Sequence, residues 1–138
     1  LWSRGLGDVY KRQKLVHLAT IAGMTSSMRA SVGEIARTPQ GSRVMLEFFK
    51  INAAVAACEG YKPSTVFMDE YQAILTNRQS PYTASMLRDI ERKGPTEADH
   101  IIGFMRDKAI QHGLETQLHD WVMVHLQAYE YRRMAGRL

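Results

Sequence analysis

The chain has 138 residues, 45% of them hydrophobic, a single cysteine and a formal net charge of +4 at pH 7. That length predicts one domain with a core of its own. Cys58 alone excludes an internal disulfide and disfavours a cysteine-based metal site, and no apolar run approaches the ~20 residues that a membrane span needs. Arg4, Lys11 and Arg12 against Asp8 account for half of the charge, leaving +2 for the rest, which is weak support for nucleic-acid binding. With no signal-peptide pattern, the expectation is a soluble, cytoplasmic protein without a membrane or nucleic-acid partner.

Residues 1–13, LWSRGLGDVYKRQ, show no helical or strand period, begin with Leu rather than Met, and resemble translated adapter sequence. They are expected to be a non-native or disordered leader outside the fold. From Lys14 to about Val32 the chain is apolar and small, with Leu15, Leu18, Ile21, Ala22 and Met28 interleaved with Ala19, Gly23, Ser26 and Ala30. This predicts a central, buried helix that another helix approaches closely, interrupted near Gly33.

Gln40 to Gly60 carries Val44, Met45, Phe48, Ile51, Ala54, Val55 and Cys58 at helical spacing. After Pro63, Ser64 is an N-cap for a helix to about Asn77, and NRQSPY, residues 77–82, reads as a loop. A short helix from Ser85 leads to a Gly-Pro turn. Thr96 is then the expected N-cap of a helix to about His112, with Glu97 in its first turn and Asp99 three residues on. The last helix starts near Thr116 and ends in Arg132, Arg133 and Arg137. No strand pattern or fixed-period repeat is found, so the domain is read as all-α with about six helices. Met45, Phe48, Phe67, Met86, Met105 and Trp121 are assigned to its core.

Three residues stand out chemically, each with a plain alternative. Lys14 at the start of a buried helix would have its ammonium disfavoured by the macrodipole and by apolar neighbours, the tuning of a proton donor, yet it also reads as a surface lysine. Glu97 reads as an ordinary first-turn glutamate. Ser85, or Thr83 in its place, reads as a helix cap. The five histidines, His17, His100, His112, His119 and His125, show no metal-ligand spacing and are taken as helix-face or surface residues.

The order Ser85-Met86, Asp89, Gly94, Thr96-Glu97, Asp99 and Gly103 resembles the signature of the ketopantoate reductase (2-dehydropantoate 2-reductase) family in its C-terminal helical domain. With the helix from Lys14 the likeness covers residues 14–138. It implies a substrate and dimerisation domain of the 6-phosphogluconate dehydrogenase C-terminal-like type, in a two-domain reductase. By resemblance, Lys14 is the catalytic lysine that protonates the alkoxide formed from the ketone, Glu97 hydrogen-bonds the substrate hydroxyl, and Ser85 contacts the substrate carboxylate. Asp89 and Asp99 are expected to cap or orient helices. Many members place asparagines four and eight residues after the lysine, where Leu18 and Ala22 stand here, which weakens the ketopantoate assignment more than the reductase one.

No GxGxxG follows a strand pattern. The resemblance therefore implies that NADPH is bound mainly by an N-terminal Rossmann domain that the chain lacks, that the chain begins just before its catalytic lysine, and that it is inactive alone. The partners expected are a small 2-keto acid, that Rossmann domain and a second copy of the chain. A different class of reading is a stand-alone helical interaction module without catalysis, favoured by Leu18 and Ala22.

Overall fold

The helix α1 (Leu6–Met28) is the axis of the domain: in the computed structural model, which describes residues 6–138 and side chains from residue 11, every other helix packs on it. These are α2 (Val32–Arg37), α3 (Gly41–Cys58), α4 (Thr65–Leu75), α5 (Ser85–Glu91), α6 (Ala98–Gln111) and α7 (Gln117–Met134). The described residues contain no strand, and no helix among them is long and apolar enough to cross a membrane. The all-α reading is borne out, with seven helices rather than about six.

Burial of α1 rests on its small and β-branched residues. Val16, Ala19, Ile21 and Met24 are fully or almost fully buried, as are Thr20, Thr25 and Ser26. The Thr20 and Thr25 hydroxyls donate to the carbonyls of Val16 and Ile21 at 2.9 and 2.7 Å, which lets polar side chains sit inside the helix packing. A β-carbon at Gly23 would lie 2.7 Å from Phe48 Cε2, so only glycine permits the observed approach of α3 to α1.

A buried polar chain crosses the same interface. Asn52 Nδ2 of α3 donates to Thr20 Oγ1 at 3.0 Å, and Asn52 Oδ1 lies 2.7 Å from His119 Nε2 of α7. His119 also packs on the Phe48 ring, with centroids 4.6 Å apart.

Three expectations are corrected. The first helix begins at Leu6, not Lys14; between Gly7 and Gly23 there is neither Gly nor Pro, and Lys11, Arg12 and Gln13 favour helix. Of the expected leader, residues 1–5 lie outside the described residues. Arg12 is buried, its guanidinium 3.4 Å from the Tyr61 ring centroid. Second, Gly33 does not break a helix but sits inside α2, which a capping box starts: Ser31 Oγ accepts from Glu34 N–H at 3.1 Å and Glu34 Oε1 accepts from Ser31 N–H at 2.8 Å. Third, Trp121 is not core but 42% exposed, because α7 turns Val122, Met123, Leu126 and Tyr129 inward.

Candidate functional site

The chain segment that delivers Ser85 is pinned along its length. Val32 N–H and Gly33 N–H donate to the carbonyls of Tyr82 and Ser80, both at 2.9 Å, so the free donors of the α2 start are met by the loop. A side chain at Gly33 would strike that loop, its β-carbon 2.5 Å from the Ser80 carbonyl oxygen. At the loop end, Ala84 N–H donates to the buried Thr25 Oγ1 of α1 at 3.2 Å. Ser85 follows as the first helical residue of α5, exposed; Ala84 occupies the cap position, so neither Ser85 nor Thr83 is the cap.

Glu97 is placed by the way α5 stops. Gly94 N–H donates to the Asp89 carbonyl and Lys93 N–H to the Ile90 carbonyl, both at 2.9 Å, with Lys93 at φ +62°. This is a Schellman ending in which lysine, not glycine, takes the left-handed position. The turn is then tied to α7. Tyr129 Oη donates to the Gly94 carbonyl at 2.6 Å, and Thr96 N–H donates to Glu130 Oε1 at 2.8 Å. Glu97 itself is the cap residue of α6, its carbonyl accepting from Ile101 N–H at 3.0 Å, one position later than the Thr96 cap read from the sequence. Thr96 Oγ1 still accepts from Ala98 N–H, at 3.4 Å.

Between these two elements lies an open cavity of about 400 Å³ lined by Ser85, Asp89, Arg92, Gly94, Thr96 and Glu97 among others. The structure thus brings Ser85 and Glu97 together. Ser85 and Asp89 lie on one face of α5 by their spacing of four residues, and Arg92, the C-cap residue, follows three residues after Asp89. The Ser85 hydroxyl, the Asp89 and Glu97 carboxylates and the Arg92 guanidinium make no side-chain hydrogen bond or ion pair with other described residues. A guanidinium and a hydroxyl offer donors to an anion, and two carboxylates accept from hydroxyls. Asp89 therefore lines the cavity instead of capping, whereas Asp99 orients helices as expected, its Oδ1 accepting from Gln127 Nε2 of α7 at 3.1 Å. Arg92 was not singled out from the sequence; its place seven residues after Ser85 on a short helix is the signal that would have found it.

Lys14 does not line that cavity. It lies in the third turn of α1, exposed, and so is not at the start of its own helix. It borders a second hollow of about 350 Å³ with Ser64, Phe67, Glu70 and Tyr71. Lys14, Leu18, Ala22 and Thr25 fall on one face of α1, and the stripe passes from exposed Lys14 and Leu18 to buried Ala22 and Thr25. Its buried end is the residue that holds Ala84, next to Ser85. Lys14 and Thr25 are roughly 16 Å apart along the helix axis.

Two histidines are interior, not helix-face or surface. His17 stacks on Tyr71 at 4.1 Å, and burial lowers its pKa from 6.5 to about 4. Burial does the same to His119, also to about 4, with Arg106 lowering it further and Asp120 opposing. Among the described residues no group of three His, Cys, Asp or Glu is set to hold a metal.

The domain as a whole is similar to known proteins. The uncharacterized oxidoreductase YkpB of Bacillus subtilis (strain 168) is 29% identical over 123 residues, which are 89% of this chain and 40% of that protein. The chain thus spans about two fifths of that relative's length. Its fold matches a dimeric ketopantoate reductase from Staphylococcus aureus with a TM-score of 0.80 at 24% identity, over 94% of this chain and 45% of the other. It also matches a D-mandelate dehydrogenase solved with NADH and anilino(oxo)acetate, with a TM-score of 0.76 at 19% identity, over 91% and 53% of the two chains. The model of the family described as "Ketopantoate reductase PanE/ApbA C terminal" matches residues 9–130, a span that holds α5, the turn at Gly94 and the start of α6, and the chain belongs to that family.

Proposed function

We propose that this domain is the substrate-facing half of an NADPH-dependent 2-keto acid reductase, reducing 2-dehydropantoate to pantoate in the synthesis of pantothenate and coenzyme A, in the cytoplasm. The observation that carries the reading is the cavity shared by Ser85 and Glu97, in which Arg92 supplies a further free cation. In this reading Ser85 holds the substrate carboxylate, Glu97 accepts from the substrate hydroxyl, and Lys14 gives a proton to the ketone oxygen as it becomes an alkoxide. Hydride is the nicotinamide's chemistry. The described residues form no strand–turn–helix unit that would fit a dinucleotide, so NADPH is assigned to a Rossmann domain of the full-length protein. A second copy of the chain belongs to the same proposal.

Full-length protein should oxidise NADPH with 2-dehydropantoate, and Lys14→Ala should cut kcat at least a hundredfold, within the range of a general acid. Glu97→Gln and Ser85→Ala should chiefly raise KM. Activity unchanged in Lys14→Ala would refute the assignment. The 138 residues assayed alone should oxidise no NADPH above the Lys14→Ala background.

Lys14 bordering a separate hollow, with Leu18 and Ala22 between it and Ser85, favours a second reading: a helical interaction module without catalysis. Full-length protein that is folded yet inert toward a panel of 2-keto acids would support it.

A further inference from the structure

The cavity between α5 and the start of α6 is electrostatically unbalanced. Its lining sets two carboxylates, Asp89 and Glu97, against one guanidinium, Arg92, a net charge of −1 that would be −2 without the arginine. Such a site repels an anionic ligand unless the cation faces it. The Ser85 hydroxyl is a neutral donor and does not change the balance. The other cations around the turn at Gly94 are engaged elsewhere. Arg133 pairs with Glu130 at 3.0 Å, and Glu130 is the carboxylate that accepts from Thr96 N–H. Arg29 lies over the Tyr129 ring, 5.5 Å from its centroid, and Arg88 Nη1 donates to the Thr83 carbonyl at 3.5 Å. Lys93 is next in the chain but does not line the cavity. Arg92 is exposed to the cavity, its side chain without a hydrogen bond or ion pair to other described residues. Its backbone, by contrast, is fixed. Arg92 N–H donates to the Arg88 carbonyl at 3.0 Å, the Schellman turn closes directly after it, and Tyr129 Oη holds the Gly94 carbonyl. A ligand that engages the guanidinium then has only side-chain rotamers to order.

We infer that Arg92 is a specificity-determining residue of this site: its guanidinium pairs with the substrate's carboxylate and makes the cavity accept a 2-keto acid over the corresponding neutral lactone or amide. Arginine stays charged throughout the pH range of folded proteins, and its planar fork matches a carboxylate with two parallel N–H donors. Ser85 adds a neutral hydrogen bond to the same group. With the carboxylate on Arg92, Asp89 and Glu97 are left to accept from hydroxyls. A second carboxylate on the substrate would meet them with like charge, so the class admitted is a monoanionic, hydroxylated 2-keto acid. The inference rests on the substrate-facing reading above and adds which side chain reads the substrate's charge.

Steady-state kinetics of the full-length protein with NADPH tests it, with 2-dehydropantoate as substrate and its neutral lactone as alternative substrate or competitor. Arg92→Gln should raise KM for the acid at least tenfold with kcat within twofold, and should lower the preference for acid over lactone by the same factor. Arg92→Lys keeps the charge without the fork and should recover part of the loss. Lys93→Gln removes the adjacent cation and should leave the preference within twofold. A preference that Arg92→Gln does not move overturns the inference, and so does a loss shared equally by acid and lactone, the mark of a structural role. If the full-length protein does not reduce 2-dehydropantoate, the substrate reading fails by itself and binding decides the inference. Oxamate, followed through the amide shifts of Gly94, Thr96 and Glu97, should then perturb them where neutral oxamide does not, and Arg92→Gln should abolish the difference. No perturbation by oxamate, or one that Arg92→Gln keeps, overturns it.

Discussion

His17 and His119 make the domain acid-labile in a defined window. Each is buried and neutral, with a pKa lowered from 6.5 to about 4 by burial. In His119, Nε2 is engaged by Asn52 Oδ1, which accepts, so Nδ1 is the bare nitrogen, and it is buried without a partner. Protonating it would bury an N–H with nothing to accept it. The unfolded chain takes up these protons near pH 6.5 and the folded chain only near pH 4. Below 6.5 the unfolded state therefore binds more protons, and stability falls as the pH falls until about 4.

By pH 5 each histidine removes about 2 kcal/mol, and by pH 4 about 3 kcal/mol, as upper estimates. Against a total of ~5–15 kcal/mol for a domain, the pair is enough to bring the chain close to unfolding by pH 4–5. The carboxylates of Glu34, Glu59 and Asp120 have pKa values below their ordinary range, held there chiefly by Ser31, His112 and Arg106 respectively. They lose their contribution only at lower pH, so the interval from 6.5 to 5 isolates the histidines.

Urea unfolding at pH 7, 6 and 5 measures the slope. His119→Gln supplies an amide nitrogen toward Asn52 Oδ1 without a titrating ring, and should lower stability at pH 7 by about 1–2 kcal/mol while removing about half of the loss between pH 7 and 5. A double variant, His17→Gln with His119→Gln, that keeps the full pH slope would refute the reasoning.

Thr25→Val removes the acceptor of the Ala84 N–H and should cost about 1–3 kcal/mol in urea unfolding, with faster amide exchange at Ala84 than at Phe48. Lys93→Gly, placing glycine in the left-handed position that lysine now fills at φ +62°, should raise stability by up to ~1 kcal/mol and Tm by a few degrees. Tyr129→Phe deletes the bond to the Gly94 carbonyl and should cost ~1 kcal/mol, with the loss of protection confined to residues 94–98.

The sequence made the helices legible because their apolar spacing and punctuation agree. Gly60, Pro63 with Ser64, and Gly113 stand at or beside helix ends in the structure, and Ser64 Oγ caps α4 by accepting from Phe67 N–H at 3.1 Å. Errors arose where two signals competed. Gly33 reads as a breaker unless the Ser31–Glu34 capping box that spans it is weighed, and glycine there serves the approach of a loop 47 residues later in the chain. Trp121 has the spacing of a core residue because it belongs to a second seam, and periodicity alone does not say which of two seams faces inward. His17 and His119 read as helix-face or surface residues because the partners that bury them, Tyr71, Phe48 and Asn52, come from other helices.

At the candidate site the same distinction separates what is near in sequence from what is near in space. Ser85 and Glu97 are twelve residues apart, and a seven-residue helix ending in a Schellman turn reverses the chain between them, so their common cavity follows from local structure. Lys14 has no such local tie. Its relation to the cavity runs through α1, whose stripe of Lys14, Leu18 and Ala22 ends at Thr25, and Thr25 holds Ala84. Of that stripe Leu18 is the exposed residue beside Lys14, whereas Ala22 is buried, so a substrate that reaches Lys14 along it meets Leu18. The chain of the keto acid would then contact an apolar side chain where a hydrogen-bonding one would read its hydroxyls. Selectivity in such a pocket comes from volume, worth ~1–3 kcal/mol per methylene, rather than from polar matching. Leu18→Asn should accordingly shift preference toward hydroxylated 2-keto acids over aliphatic ones in the full-length protein, read as a change in the ratio of kcat/KM values. A ratio that does not move would mean that the substrate does not touch this face of α1.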